Sequence, residues 1–138
     1  MLVLMALKDP ILLSTITALS IPLTYAAYHQ FWYIYGSVLG VLMSGLVFHS
    51  TKDPLILRID QAFILQFGYM TWMEARELGL LYLVYYGFLY TGIAYFGGYY
   101  TRSMAFSPHY VESRIYHGMF HILIASLVSY SVYVKSLQ

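Results

Sequence analysis

Runs of about twenty apolar residues, broken only by short polar segments, constrain this chain more tightly than any other feature. A helix needs roughly 20 residues to cross a hydrocarbon core of about 30 Å. Five such runs are present, at about 11–28, 31–49, 57–72, 77–97 and 113–134. A soluble domain carries roughly 25% charged residues, whereas this chain carries 9%, against 60% hydrophobic residues and a mean hydropathy of +0.66. At 138 residues a water-soluble fold would leave too much of that apolar surface wet. The expectation is an all-α, polytopic transmembrane helical bundle of about five spans, forming a single domain over residues 1–138.

The breaks carry their own signals. Lys8-Asp9-Pro10 precedes the first run, and Pro22 inside it is tolerable where neighbours satisfy the freed carbonyl. The third run turns apolar only after Arg58 and Asp60, the fourth stops at Gly97-Gly98, and the longest connection is 98–112 with Pro108 inside it. The first run reads as a span and not a cleavable signal, because its leading segment is not basic and its apolar stretch is long. Five crossings put the loops 50–56 and 98–112 on the side of the N-terminus. That side holds Lys8, Lys52, Arg58, Arg102 and Arg114, against Arg76 and Lys135 on the other. The positive-inside rule therefore predicts a multi-pass protein with its N-terminus in the cytoplasm. A net charge of +1 gives no reason to expect nucleic acid or a polybasic lipid patch. The absence of cysteine excludes disulfides, iron–sulfur clusters and thiolate metal sites.

The ionisable residues inside the runs carry the chemistry. His49 closes the second run, Asp60 opens the third, and His117 and His121 lie near the start of the fifth. Parity sets all four at one depth, near the N-terminal side. His117 and His121 are four residues apart and so share a helix face. Three imidazoles with an open fourth position are the catalytic zinc arrangement, and a carboxylate nearby can take the proton of an attacking water. A single HxxxH also occurs without any metal. Four costly groups at one depth on three helices are a functional hypothesis by default. Other polar residues read as structural. Glu74, Arg76 and Glu77 anchor the opposite interface and cap the fourth run, and Gln66 bonds between helices. The stripe Tyr82, Tyr85, Tyr86, Leu89 and Tyr90 packs or lines a lipid-tail groove. His109 lies in the loop beside the site, and His29 lies on the far side.

The stretch Val47-Phe48-His49, followed by Asp60 eleven residues on and by His117-x-x-x-His121, resembles the superfamily of alkaline ceramidases, GPI-lipid remodelling proteins and adiponectin-type receptors. That resemblance implies His49, His117 and His121 as zinc ligands and Asp60 as partner of the zinc-bound water. It also implies a seven-span bundle that hydrolyses an amide or ester of a membrane lipid. Two departures are plain. The family Ser lies four residues before the first His, where this chain has Gly45. Ser44 is one residue further back, five from His49 and so about 140° round an ideal helix. Ser44 is still the candidate second catalytic residue, with Ser50 and Ser113 as other hydroxyls. Its competing role is helix packing, in the stripe Gly36, Gly40, Ser44. One run, not three, separates the Asp helix from the HxxxH helix. Parity is preserved, which leaves a reduced enzyme, an inactive relative or half of a homo-oligomer. The resulting expectation is a zinc-dependent intramembrane lipid hydrolase, ceramidase-like. The alternative is a receptor-like or scaffold protein with a structural metal. A haem protein ligated by His49 and His117 or His121 fits less well, since paired His with Asp suits zinc better.

Overall fold

The computed structural model describes residues 10–51 and 53–138, which are predominantly helical with no β-strand among them. Lys8, Asp9 and Lys52, used above for the start signal and the charge count, lie outside the described residues. Five helical rods follow one another. The first, 10–28, is α1 (Pro10–Ile16), a 3-10 turn (Thr17–Leu19) and α2 (Ser20–Tyr28). The second is α3 (Trp32–Thr51) and the third is α4 (Pro54–Glu77). The fourth, 81–101, is α5 (Leu81–Tyr90), a π-helical segment (Thr91–Gly97) and α6 (Gly98–Thr101). A 3-10 turn (Met104–Phe106) leads into the fifth rod, α7 (Tyr110–Lys135).

Local chemistry explains the boundaries. The 3-10 turn in the first rod falls just before Pro22, which cannot donate to the carbonyl of Ala18 and crowds it. The helix α4 starts at residue 54 and not at 57 because of its cap. The Asp53 carboxylate accepts from the amides of Leu55 at 2.7 Å and Ile56 at 3.2 Å, and Pro54 takes the first helical position, where a missing N–H costs nothing. Its other end runs to Glu77 and closes on Gly79, at φ 71°. The amide of Leu80 reaches the carbonyl of Ala75 and that of Gly79 reaches Arg76, the paired bonds of a Schellman stop. The fourth rod thus begins at 81, and its N-terminal flank Leu80 makes no side-chain cap bond. This corrects the expected capping by Glu74–Glu77: those residues end α4, and Glu74 instead pairs with Lys135 at the end of α7.

Among the described residues, three helices are long and apolar enough to cross a membrane: Ile11–Tyr28, Trp32–Thr51 and Tyr110–Lys135. The 24 residues of α4 would reach across, but Arg58, Asp60, Glu74 and Arg76 lower its apolarity. The fourth rod is divided by its π segment. The main core runs along the bundle through Ile16, Leu19, Val38, Phe67, Met70, Tyr95, Phe120, Val128 and Val132. A second cluster of Ala75, Leu80 and Val84 closes one end. The outward face is also apolar, with Leu65 62% and Tyr86 70% exposed. The tyrosine stripe of the fourth rod points outward at Tyr82, Tyr85 and Tyr86, while Tyr90 packs against the core. Between α3 and α4, the Phe63 ring occupies the space over Gly40, and the Gln66 amide donates to Ser37 at 2.9 Å, which is the interhelical bond expected of Gln66.

Candidate metal centre

At one end of the bundle the last turns of α3, the first turns of α4 and the first half of α7 meet. His49 comes from the first of these and His117 and His121 from the last. All three are buried, and one nitrogen from each lies within 4.8 Å of the others. Ring centroids are 4.8 Å apart for His49–His117, 5.4 Å for His49–His121 and 4.9 Å for His117–His121. Tetrahedral zinc with bonds of about 2.0–2.1 Å needs ligand nitrogens about 3.4 Å apart. Small turns of the rings bridge that difference, so the donor set suits a divalent ion that favours imidazole.

Asp60 lies in the second turn of α4, buried at 3% exposure. Ser44 donates its hydroxyl to Asp60 Oδ1 at 2.7 Å, and Tyr95 donates to Asp60 Oδ2 at 3.5 Å. Ser44 therefore faces the carboxylate, although its position on α3 differs from that of the residue four before His49. Gly45 faces it as well. A methyl group built on Gly45 would stand 3.7 Å from Asp60 Oδ1 and 2.2 Å from Ile16 Cδ1. The side chain of Ile16 fills the place where a serine at 45 would sit, and the neighbouring Ser44 supplies the hydroxyl.

Three residues that contact the site were not visible as such in the sequence. Tyr95 is fully buried, bonds Asp60, and sets its ring edge-on to His117 with centroids 5.5 Å apart. It stacks on Phe120 at 5.3 Å. The π segment aims it inward, since a wider turn shifts the facing of the residues within it. Thr15, on α1, lies with its hydroxyl oxygen 3.0 Å from Nδ1 of His121. Ile16 follows it and seals Gly45. The run of threonine and glycine around the π segment was the one cue for Tyr95, and Thr15 had none.

The remaining candidates lie elsewhere. Ser50 bonds the carbonyl of Leu46 and Ser113 that of Ala105, so neither hydroxyl is directed to Asp60 by these bonds. His109 is exposed and its backbone amide bonds Ser107. His29 stacks on Phe31 with centroids 5.7 Å apart at the opposite end. An apolar cavity of about 300 Å³ opens between α4, the fourth rod and α7; none of the three histidines nor Asp60 lines it, and Phe120, which stacks on Tyr95, is one of its walls. Comparison with protein-family models, with curated proteins and with solved structures gives no match to this chain.

Proposed function

We propose that this chain is a membrane-embedded zinc hydrolase acting on an acyl lipid, with five crossings. His49, His117 and His121 hold the metal, and Asp60, oriented by Ser44 and Tyr95, takes the proton of the attacking water. The observation that carries the reading is the convergence of three buried imidazoles from two helices within 4.8 Å, linked through Tyr95, which is edge-on to His117, to a buried carboxylate held by two hydroxyls. Zinc bound there would supply a Lewis acid for the carbonyl and lower the pKa of water to about 7. The carboxylate is suited to the proton because Ser44 leaves its other oxygen only a long bond to Tyr95. The apolar cavity beside Phe120 and the outward apolar face favour a substrate that arrives through lipid, and the resemblance to ceramidase-type proteins suggests an amide or ester of a ceramide-like molecule. Arg58, Arg102 and Arg114 lie toward the metal end and Arg76 and Lys135 toward the other, which favours a cytoplasmic site.

A second reading keeps the same ion as a staple between α3 and α7 in a scaffold or receptor-like protein. The burial of all three rings favours it. Both readings expect about one zinc per chain after mild purification, lost in His117→Ala or His121→Ala. Asp60→Asn separates them. In the hydrolase it keeps the zinc and lowers lipid turnover by at least about 100-fold, the usual worth of a positioned general base. Elemental analysis that finds no metal removes both readings, and zinc without turnover of any acyl lipid leaves only the staple.

A further inference from the structure

We propose that Thr15 is a positioning residue of the metal centre: its hydroxyl oxygen accepts the Nδ1 proton of His121 and so presents Nε2 as the ligating nitrogen. The inference rests on the metal reading above and adds the first rod to the site. The hydroxyl of Thr15 donates its single proton to the carbonyl of Leu12 at 3.1 Å, three residues back on its own helix. Its oxygen stands 3.0 Å from Nδ1 of His121, 106 residues away in sequence. With the proton directed to Leu12, as the proposal assigns it, the oxygen accepts and Nδ1 carries the hydrogen. The other nitrogen then keeps its lone pair. The reverse arrangement, with Thr15 donating to Nδ1, would put the proton on Nε2 and take His121 out of the donor set. A metal-ligating imidazole almost always donates its second N–H to a carboxylate, backbone carbonyl or water, which fixes both tautomer and ring orientation, and here the Thr15 oxygen takes that acceptor's place.

A second observation shows that the approach is built into the packing. Gly118 follows His117 on α7. A methyl group at 118 would meet Thr15 Cγ2 at 3.1 Å and Thr15 Oγ1 at 3.5 Å. The glycine lets the first rod come close enough for the hydroxyl to reach His121. Ile16, the next residue, is 1% exposed and occupies the space over Gly45. The same turn of α1 therefore touches the centre from two adjacent positions.

The test begins with metal-free wild type, in which nitrogen NMR of the imidazoles reads the tautomer directly. A proton on Nδ1 of His121 is expected, and a proton on Nε2 overturns the proposal whatever the variants do. Zinc affinity is then measured by competition with a chromophoric chelator. Thr15→Val keeps the shape and removes the acceptor, and should weaken zinc binding by about 10- to 100-fold with the helical melting profile retained. Thr15→Ser restores the hydroxyl and should bring the affinity back. Unchanged affinity in Thr15→Val, with zinc bound by wild type, overturns this inference and leaves the metal centre standing. Zinc bound by neither protein overturns the metal centre itself.

Discussion

Position 45 shows how one missing atom redistributes a site. A serine there would direct its hydroxyl toward Asp60, but Gly45 leaves a space that Ile16 fills with its terminal methyl group. The hydroxyl comes from Ser44 instead, at 2.7 Å from the carboxylate. The two residues are adjacent, about 100° apart round α3, and both positions come within reach of Asp60 Oδ1. Gly45→Ala should therefore force Ile16 aside and cost about 1–3 kcal/mol, the range for overpacking a buried site. Adding Ile16→Val removes the clashing methyl and should recover most of that loss, giving a non-additive cycle of the kind contacting residues show. Chemical denaturation in detergent checks both values, and additive losses would mean that the two side chains do not compete for that space.

The elements are joined by turns whose backbone chemistry sets the antiparallel arrangement. Two of them use the same stop. After α4 the left-handed position is Gly79 at φ 71°. After α2 it is Gln30 at φ 59°, with the amide of Phe31 bonded to the carbonyl of Ala26 and that of Gln30 to Ala27. A residue with a side chain is strained there by roughly 1–2 kcal/mol. Gln30→Gly should relieve this and stabilise the protein by about 0.5–1 kcal/mol, after allowing for the greater freedom of glycine in the unfolded chain. A rise in the melting midpoint is the expected reading, and a fall would mean that the Gln30 side chain contributes more than the turn costs. The fourth rod is the other informative element. Its π segment spans seven residues and delivers Tyr95 to Asp60 and His117, while Tyr90 ties the same rod to the carbonyl of Tyr116 at 2.9 Å. A regular helix drawn through 81–101 would have hidden this, since its facing changes within the π turns.

For the whole molecule, the question is how many rods cross the membrane. The His and Asp end and the Glu74–Lys135 end are opposite ends of one bundle. Five crossings then put residue 77 and residue 101 on opposite sides. Three crossings, by the helices that meet both length and apolarity, put them on the same side. The chain has no cysteine, so Glu77→Cys and Thr101→Cys each create a single label. In sealed vesicles of one orientation, an impermeant maleimide should reach one and require permeabilisation to reach the other. Equal reactivity would establish that α4 and the fourth rod do not both cross.

Much of this was legible in the chain itself. Apolar runs of bilayer length and the near absence of charge determined helicity, and the 3.6-residue period put His117 and His121 on one face, because both depend only on neighbours in sequence. Alternation of direction likewise brought His49, Asp60 and the HxxxH pair to one end. Helix boundaries were less legible: α4 began three residues early because the Asp53-Pro54 cap, not apolarity, starts it. The contacts around the ligands were decided only by the tertiary structure. Thr15 meets His121 across 106 residues, Tyr95 reaches Asp60 across 35, and Ile16 displaces a side chain at 45. Each depends on how far one rod is rotated and slid against another. That rotation and slide come from close packing of the whole core, which no local pattern along the chain encodes.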